Sequence, residues 1–345
     1  MLLSVLDESH LSYNVVNIAH GRHIFIHPLK IICGGEHPPS SKGFVSQNAF
    51  TLPPHYGLPS ASERQFTARK KALPTSIDVH SSQTFGGCRD TLVIAAHYDC
   101  VANSEGANDN GASVFLILDA AIKLNRALAT DLLHAKTKKT EGIKNRKDDS
   151  LLFILTDKEE LQAGESITSQ GSYTLAKMLT GIGMGNASFF IFDACGRGDT
   201  LIISSIVDEL LKYENSGSSA KTKKQFQKLR GAALSAAEKT LSGSYLLMPT
   251  PFSDDVGFLR AGVSAQTITI LPRSEAMAFT QQVRSNILYR TALISSKQKK
   301  LQSKLKLPKT WEYLNGPNDT IEKLTPQNFR DVVKFIMELC KTAMA

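Results

Sequence analysis

Apolar residues run without interruption through LVIAA (92–96), LLFIL (151–155) and FFIF (189–192), and each run turns polar at its carboxyl end. A run that does not alternate reads as a strand buried on both faces of a largely parallel sheet. Between the first two runs, VFLILDAAIKLNRAL (114–128) spaces Leu, Ile and Ala as a helix face requires. The pattern is therefore that of an α/β protein. Upstream, YNVVNI and HIFIHPLKII within residues 13–33 predict a hairpin of two strands around AHGR. Residues 34–87 are dense in Gly, Pro and Ser and too long for an ordinary connection, so they read as an irregular excursion. Further on, the spacing predicts a helix over 225–241, a strand over 265–271, a basic helix near 275–305 and a last amphipathic helix over 325–343, opened by Thr325 and Pro326. No solenoid-type repeat interrupts this order.

Composition narrows the class. At 345 residues, 42% hydrophobic and 21% charged, the chain has room for a substantial core and is neither fibrous nor wholly disordered. The longest apolar stretch, around 112–122, is broken by Asp119 and falls short of the roughly 20 residues of a membrane span. The first dozen residues lack a basic, apolar and small-residue leader pattern, and the five cysteines form no C-x-x-C pair, so reduced thiols in a cytoplasmic protein are expected. The net charge of +8 is local: residues 136–149, 212–230 and 297–309 carry +3, +5 and +6, which leaves −6 on the rest. These segments are polar and hold few aromatics to stack bases, so they read as solvated inserts in one domain spanning 1–345, with no nucleic acid and no membrane as partner.

The strand ends hold the candidate chemistry. In open α/β sheets ligands bind at the carboxyl edge, and there the chain places His97, Asp99, Asp109, Glu159, Glu160 and Asp193. Imidazole and carboxylates arriving from separate elements are what a divalent metal needs. Adjacent glutamates in an extended segment point to opposite sides, which assigns Glu159 and Glu160 different roles, one as ligand and one as general base. Competing signals are poor. No G-x-S-x-G elbow occurs, GIGMG (181–185) precedes a strand, and Cys195 reads as a core residue.

AAHYDC, GANDNGAS, TDKEE, FFIFDA, FSDDVGFLRAGVSA and NGPNDTIEKL, taken in order over about residues 90–340, resemble the successive motifs of the M28 zinc aminopeptidase family. The resemblance implies a three-layer α/β/α sandwich with a mixed, mostly parallel central sheet and a site for one or two zinc ions. It implies His97 and Asp193 on one metal, Asp109 bridging to a second, Glu160 on that second ion, Glu159 as general base and Asp99 as the carboxylate orienting the His97 region. The chain departs from the family at Asn315, where the family has a histidine, and no histidine follows His134. Asp255, where the family often has histidine, and Asp319 are the carboxylates that could substitute. An amide oxygen favours harder ions than zinc, so the second ion is expected to be loose or a different divalent metal. The activity implied is removal of an N-terminal residue from a peptide or aminoacyl substrate by metal-activated water. The alternatives are a scaffold protein whose metal site has decayed and a single-zinc glutaminyl-cyclase-like aminoacyltransferase.

Overall fold

A computed structural model describes residues 2–9, 11–18, 21–27, 91–137, 151–213, 220–285, 293 and 305–344. They belong to one compact unit, residues 1–31 together with 87–345. The excursion expected over 34–87 and nearly all of the 136–149 insert lie outside the described residues.

Eight strands form one sheet: β1 (Ser12–Ile18), β2 (Gly21–His27), β3 (Leu92–His97), β4 (Leu151–Thr156), β5 (Ser188–Phe192), β6 (Thr200–Ser204), β7 (Tyr245–Met248) and β8 (Ala265–Leu271). Their spatial order is β1-β2-β4-β3-β5-β8-β6-β7. The four central strands β4, β3, β5 and β8 run parallel, while β2 pairs antiparallel with β4 and β6 antiparallel with β8. The sheet is therefore mixed, with its parallel part in the centre, as expected. The continuous apolar runs form the parallel strands because both of their faces are covered.

One face packs on α2 (Ala112–Thr137), α5 (Ala220–Leu241) and the final helix, through Ile94, Phe153, Phe190 and Ile268. The other carries α3 (Gly171–Gly181) and α6 (Asp254–Arg260), which pack on each other, and Phe258 of α6 lies 4.8 Å from Phe189. Helix α1 (Leu2–Glu8) precedes the sheet and α4 (Ile206–Tyr213) follows β6. Beyond β8 come α7 (Arg273–Ser285), the short α8 (Lys309–Tyr313) and α9 (Phe329–Met344), the last entered through a 3₁₀ turn at Pro326–Asn328. The basic helix expected over 275–305 is seen as far as Ser285, and most of residues 286–304, including 297–304, lie outside the described residues.

The 212–230 stretch is not simply a solvated insert. Residues 220–230 are the first half of α5, and Phe226 and Leu229 are 2% and 1% exposed. The charge marks only the outer face: Lys223, Lys224 and Lys228 are exposed, while Phe226, Leu229, Ala233 and Ala237 recur at helical spacing inside. Among the described residues no helix is long and apolar enough to cross a membrane.

Candidate active site

The strand order explains where the site lies. β4 and β5 flank β3 on opposite sides, so the connections leaving their carboxyl ends part there and open a crevice. His97 closes β3 and is fully buried. Its Nε2 lies 3.2 Å from Asp109 Oδ1 and 3.6 Å from Asp193 Oδ1, and suitable ligand atoms of these three residues all lie within 4.8 Å of one another. Nδ1 donates to the Asp99 carbonyl at 3.1 Å, which leaves Nε2 as the nitrogen facing the two carboxylates.

Asp109 belongs to a loop braced from several directions. The Asn108 side-chain carbonyl accepts from Gly196 N at 2.7 Å. Asn110 donates to Phe192 O at 3.0 Å and accepts from Ala194 N at 3.2 Å, so the loop is stitched to the end of β5 that carries Asp193. Asp319 supports the same loop from the far end of the chain. Its two carboxylate oxygens accept from Asn108 N at 2.7 Å and Asp109 N at 3.0 Å.

The Asp99 carboxylate does for the next segment what Asp319 does for this one. Glu159 N and Glu160 N donate to its two oxygens at 3.2 and 3.1 Å. Both glutamates line one cavity instead of facing opposite sides. The alternation rule fails because the chain has left β4 and turns through Lys158 at φ 63°.

The cavity, of about 440 Å³, has an acidic end formed by Asp109, Glu159, Glu160 and Asp193 and an apolar wall that includes Leu161, Ile167, Phe252 and Trp311. Among the described residues no Lys or Arg lines it. Burial first, and neighbouring acids after it, raise Asp109, Glu159 and Glu160 above their ordinary values. Burial, then repulsion from Asp109, pushes Glu160 up to about 8, and burial holds Glu159 well above the carboxylate range. Burial would depress His97, but Asp109, Asp193 and Asp99 overcome it and hold the imidazole well above its ordinary value. His97 Nε2, Asp193 Oδ1 and Glu160 Oε1 are buried without a hydrogen-bond partner. Unpartnered ligand atoms of this kind beside clustered carboxylates fit a divalent cation.

The Peptidase family M28 model matches residues 79–340, well over half of the chain. The chain belongs to peptidase family M28. No curated protein matches it. Among solved structures it is similar to the LapA aminopeptidase of Legionella pneumophila, with 10% identity, 99% of this chain and 61% of that one covered, and a TM-score of 0.50. It also resembles BSAP, a zinc aminopeptidase from Bacillus subtilis, with 17% identity, 72% of this chain and 45% of that one covered, and a TM-score of 0.44. Porphyromonas gingivalis glutaminyl cyclase gives 12% identity, 99% and 86% coverage and a TM-score of 0.49. At these identities the likeness is one of fold, and the chain spans less than half the length of the Bacillus protein.

Within this M28 chain the six strand-end residues separate by position. His97, Asp109 and Asp193 converge, Glu159 and Glu160 line the cavity beside them, and Asp99 holds the glutamates from behind. Asn315 also lines the cavity, in a left-handed conformation at φ 58°. Asp255 is buried in the first turn of α6, where Oδ1 accepts from Ser253 N at 3.1 Å, and burial pushes it up to about 7. The parts played by Asn108 and Asn110 are not legible in the sequence. The two asparagines sit inside the GANDNGAS motif, but nothing in their spacing says that their side chains turn back onto β5.

Proposed function

We propose that this M28 chain is a metal-dependent aminopeptidase that releases apolar N-terminal residues from peptides. The reading is carried by the convergence of His97, Asp109 and Asp193, with unpartnered buried donor atoms, at the acidic end of a cavity whose other wall is apolar. These three residues would hold zinc, with Glu160 facing the same space and Asn315 offering only an amide oxygen where a second ion would need a ligand. Bound there, a divalent cation polarises the scissile carbonyl and acidifies water. Asp99 keeps the imidazole and both glutamates in place. Glu159 serves as general base, taking a proton from water and passing it to the leaving amine. Carboxylates not used by the metal attract the substrate's α-ammonium, which favours cleavage at the N-terminus. The apolar wall receives the first side chain.

The test combines metal content with turnover of aminoacyl anilides. Purified protein is expected to retain about one tightly bound zinc per chain. Glu159→Gln keeps the shape and removes the base, so turnover should fall by about two to four decades with metal content unchanged. Protein that binds no divalent metal, or a variant with full turnover, would defeat the proposal.

A further inference from the structure

We propose that Gln170 is a positioning residue that holds the Glu159 carboxylate in its working orientation, an inference that rests on the general-base reading of Glu159. Gln170 stands at the N-cap of α3 and is 2% exposed. Its Nε2 donates to Glu159 Oε1 at 3.0 Å and to the Glu159 carbonyl at 3.3 Å. Both of those atoms are acceptors, so the amide nitrogen, not the oxygen, must face them. On its other side, Gln170 Oε1 accepts from the Ser172 hydroxyl at 3.0 Å. The amide is therefore fixed from both ends.

The backbone beneath it is equally constrained. Gln170 N donates to Ile167 O at 3.1 Å, and the adjoining Gly171 N donates to Lys158 O at 2.8 Å, which ties the start of α3 to the segment carrying Glu159. From above, α6 closes on the pair. A Cβ on Gly257 would fall 2.1 Å from Ser172 Oγ and 2.7 Å from Gln170 Oε1, so only glycine permits that approach. Asp254, held by the Thr156 hydroxyl at 2.6 Å, lies beside Ser172. Glu159 thus has one carboxylate oxygen engaged by a donor that cannot swing away, and its side-chain rotation is restricted. A base held in this way needs no reorientation at each turnover, so the benefit appears in the chemical step and not in substrate affinity.

The experiment is a double-mutant cycle on the metal-loaded enzyme. Gln170→Met keeps approximate length and removes the N–H donor. Its kcat should fall roughly 10- to 100-fold, with KM within about twofold and metal content unchanged. Ser172→Ala frees only the far end of the amide and should lose only several-fold. In a Glu159→Gln background, Gln170→Met should cause no further loss, because a residue acting through Glu159 has nothing left to position. Unchanged kcat in Gln170→Met would overturn the inference. So would a loss of equal size in both backgrounds, the mark of a residue acting only on packing. Full turnover in Glu159→Gln alone would remove the base assignment and the inference with it, a result recognisable before Gln170 is altered.

Discussion

Asp319 shows how a carboxylate can position another acid from a distant part of the chain. Its two oxygens already accept from Asn108 N and Asp109 N, so it acts as the clamp that points Asp109 inward. Replacing one oxygen with an amide nitrogen puts a donor against a backbone donor. Asp319→Asn should therefore raise the dissociation constant for zinc by about 10- to 100-fold, as removal of a ligand's supporting partner commonly does, measured by competition with a chelator. An unchanged constant would mean that the asparagine bridges to β5 hold the loop alone. From the sequence, Asp319 was a candidate substitute ligand beside Asn315, because an acid near a ligand position reads the same whether it binds metal or amide. His97, Asp109, Glu160 and Asp193 were legible because their strand and loop positions decide where they end up. Gln170 was not, since its role depends on a rotamer set by α6.

At the scale of elements, the cavity wall depends on a five-residue helix that would not stand alone. Glu275 of α7 anchors α8 by accepting from Thr310 N and Thr310 Oγ1, each at 2.8 Å, and Arg197 joins it at 3.1 Å while also meeting Thr310. The guanidinium also covers the Tyr313 ring, 5.2 Å from its centre. Arg197 follows Asp193 by four residues, so this junction sets the wall carrying Trp311 relative to the acidic end. Trp311 is the only tryptophan in the chain and stands edge-on to Phe279 at 5.1 Å. Glu275→Ala should shift its fluorescence to longer wavelength as water reaches it, and should raise KM for apolar anilides about 10-fold, more than it lowers kcat. An unmoved emission spectrum would show that α8 is held by its apolar contacts. The sequence reading found the strands with uninterrupted apolar runs and the long helices α2, α5, α7 and α9, and missed α1, α3, α4, α6, α8, β6 and β7. All of these but α3 have eight residues or fewer, and tertiary contact decides them.

For the molecule as a whole, the crowded acids make stability depend on pH and metal together. Glu160 near 8, Asp255 near 7 and Asp254 near 6 all lie above their unfolded values, so the metal-free fold releases protons less readily than the open chain. Their contribution is fully present below about pH 4 and is lost as pH rises through 6 to 8. His23, pushed down to about 4 by burial, works the other way, weakening the fold as pH falls from about 6.5 to 4. Zinc favours the ionised carboxylates, and at about 100 times its Kd it stabilises by about 2.7 kcal/mol. The gain in melting temperature on adding zinc to chelator-treated protein should accordingly increase from pH 6 to 8, as scanning calorimetry would measure. A gain independent of pH would place the ion elsewhere. The clamp on Asp109 also has a consequence in time, because Asn108 and Asp319 are 211 positions apart. A chain growing from its amino end exposes His97, Asp109 and Asp193 long before the residue that sets Asp109 has been made. The loop that carries Asp109 is therefore set only once Asp319 has been made and has folded back onto it.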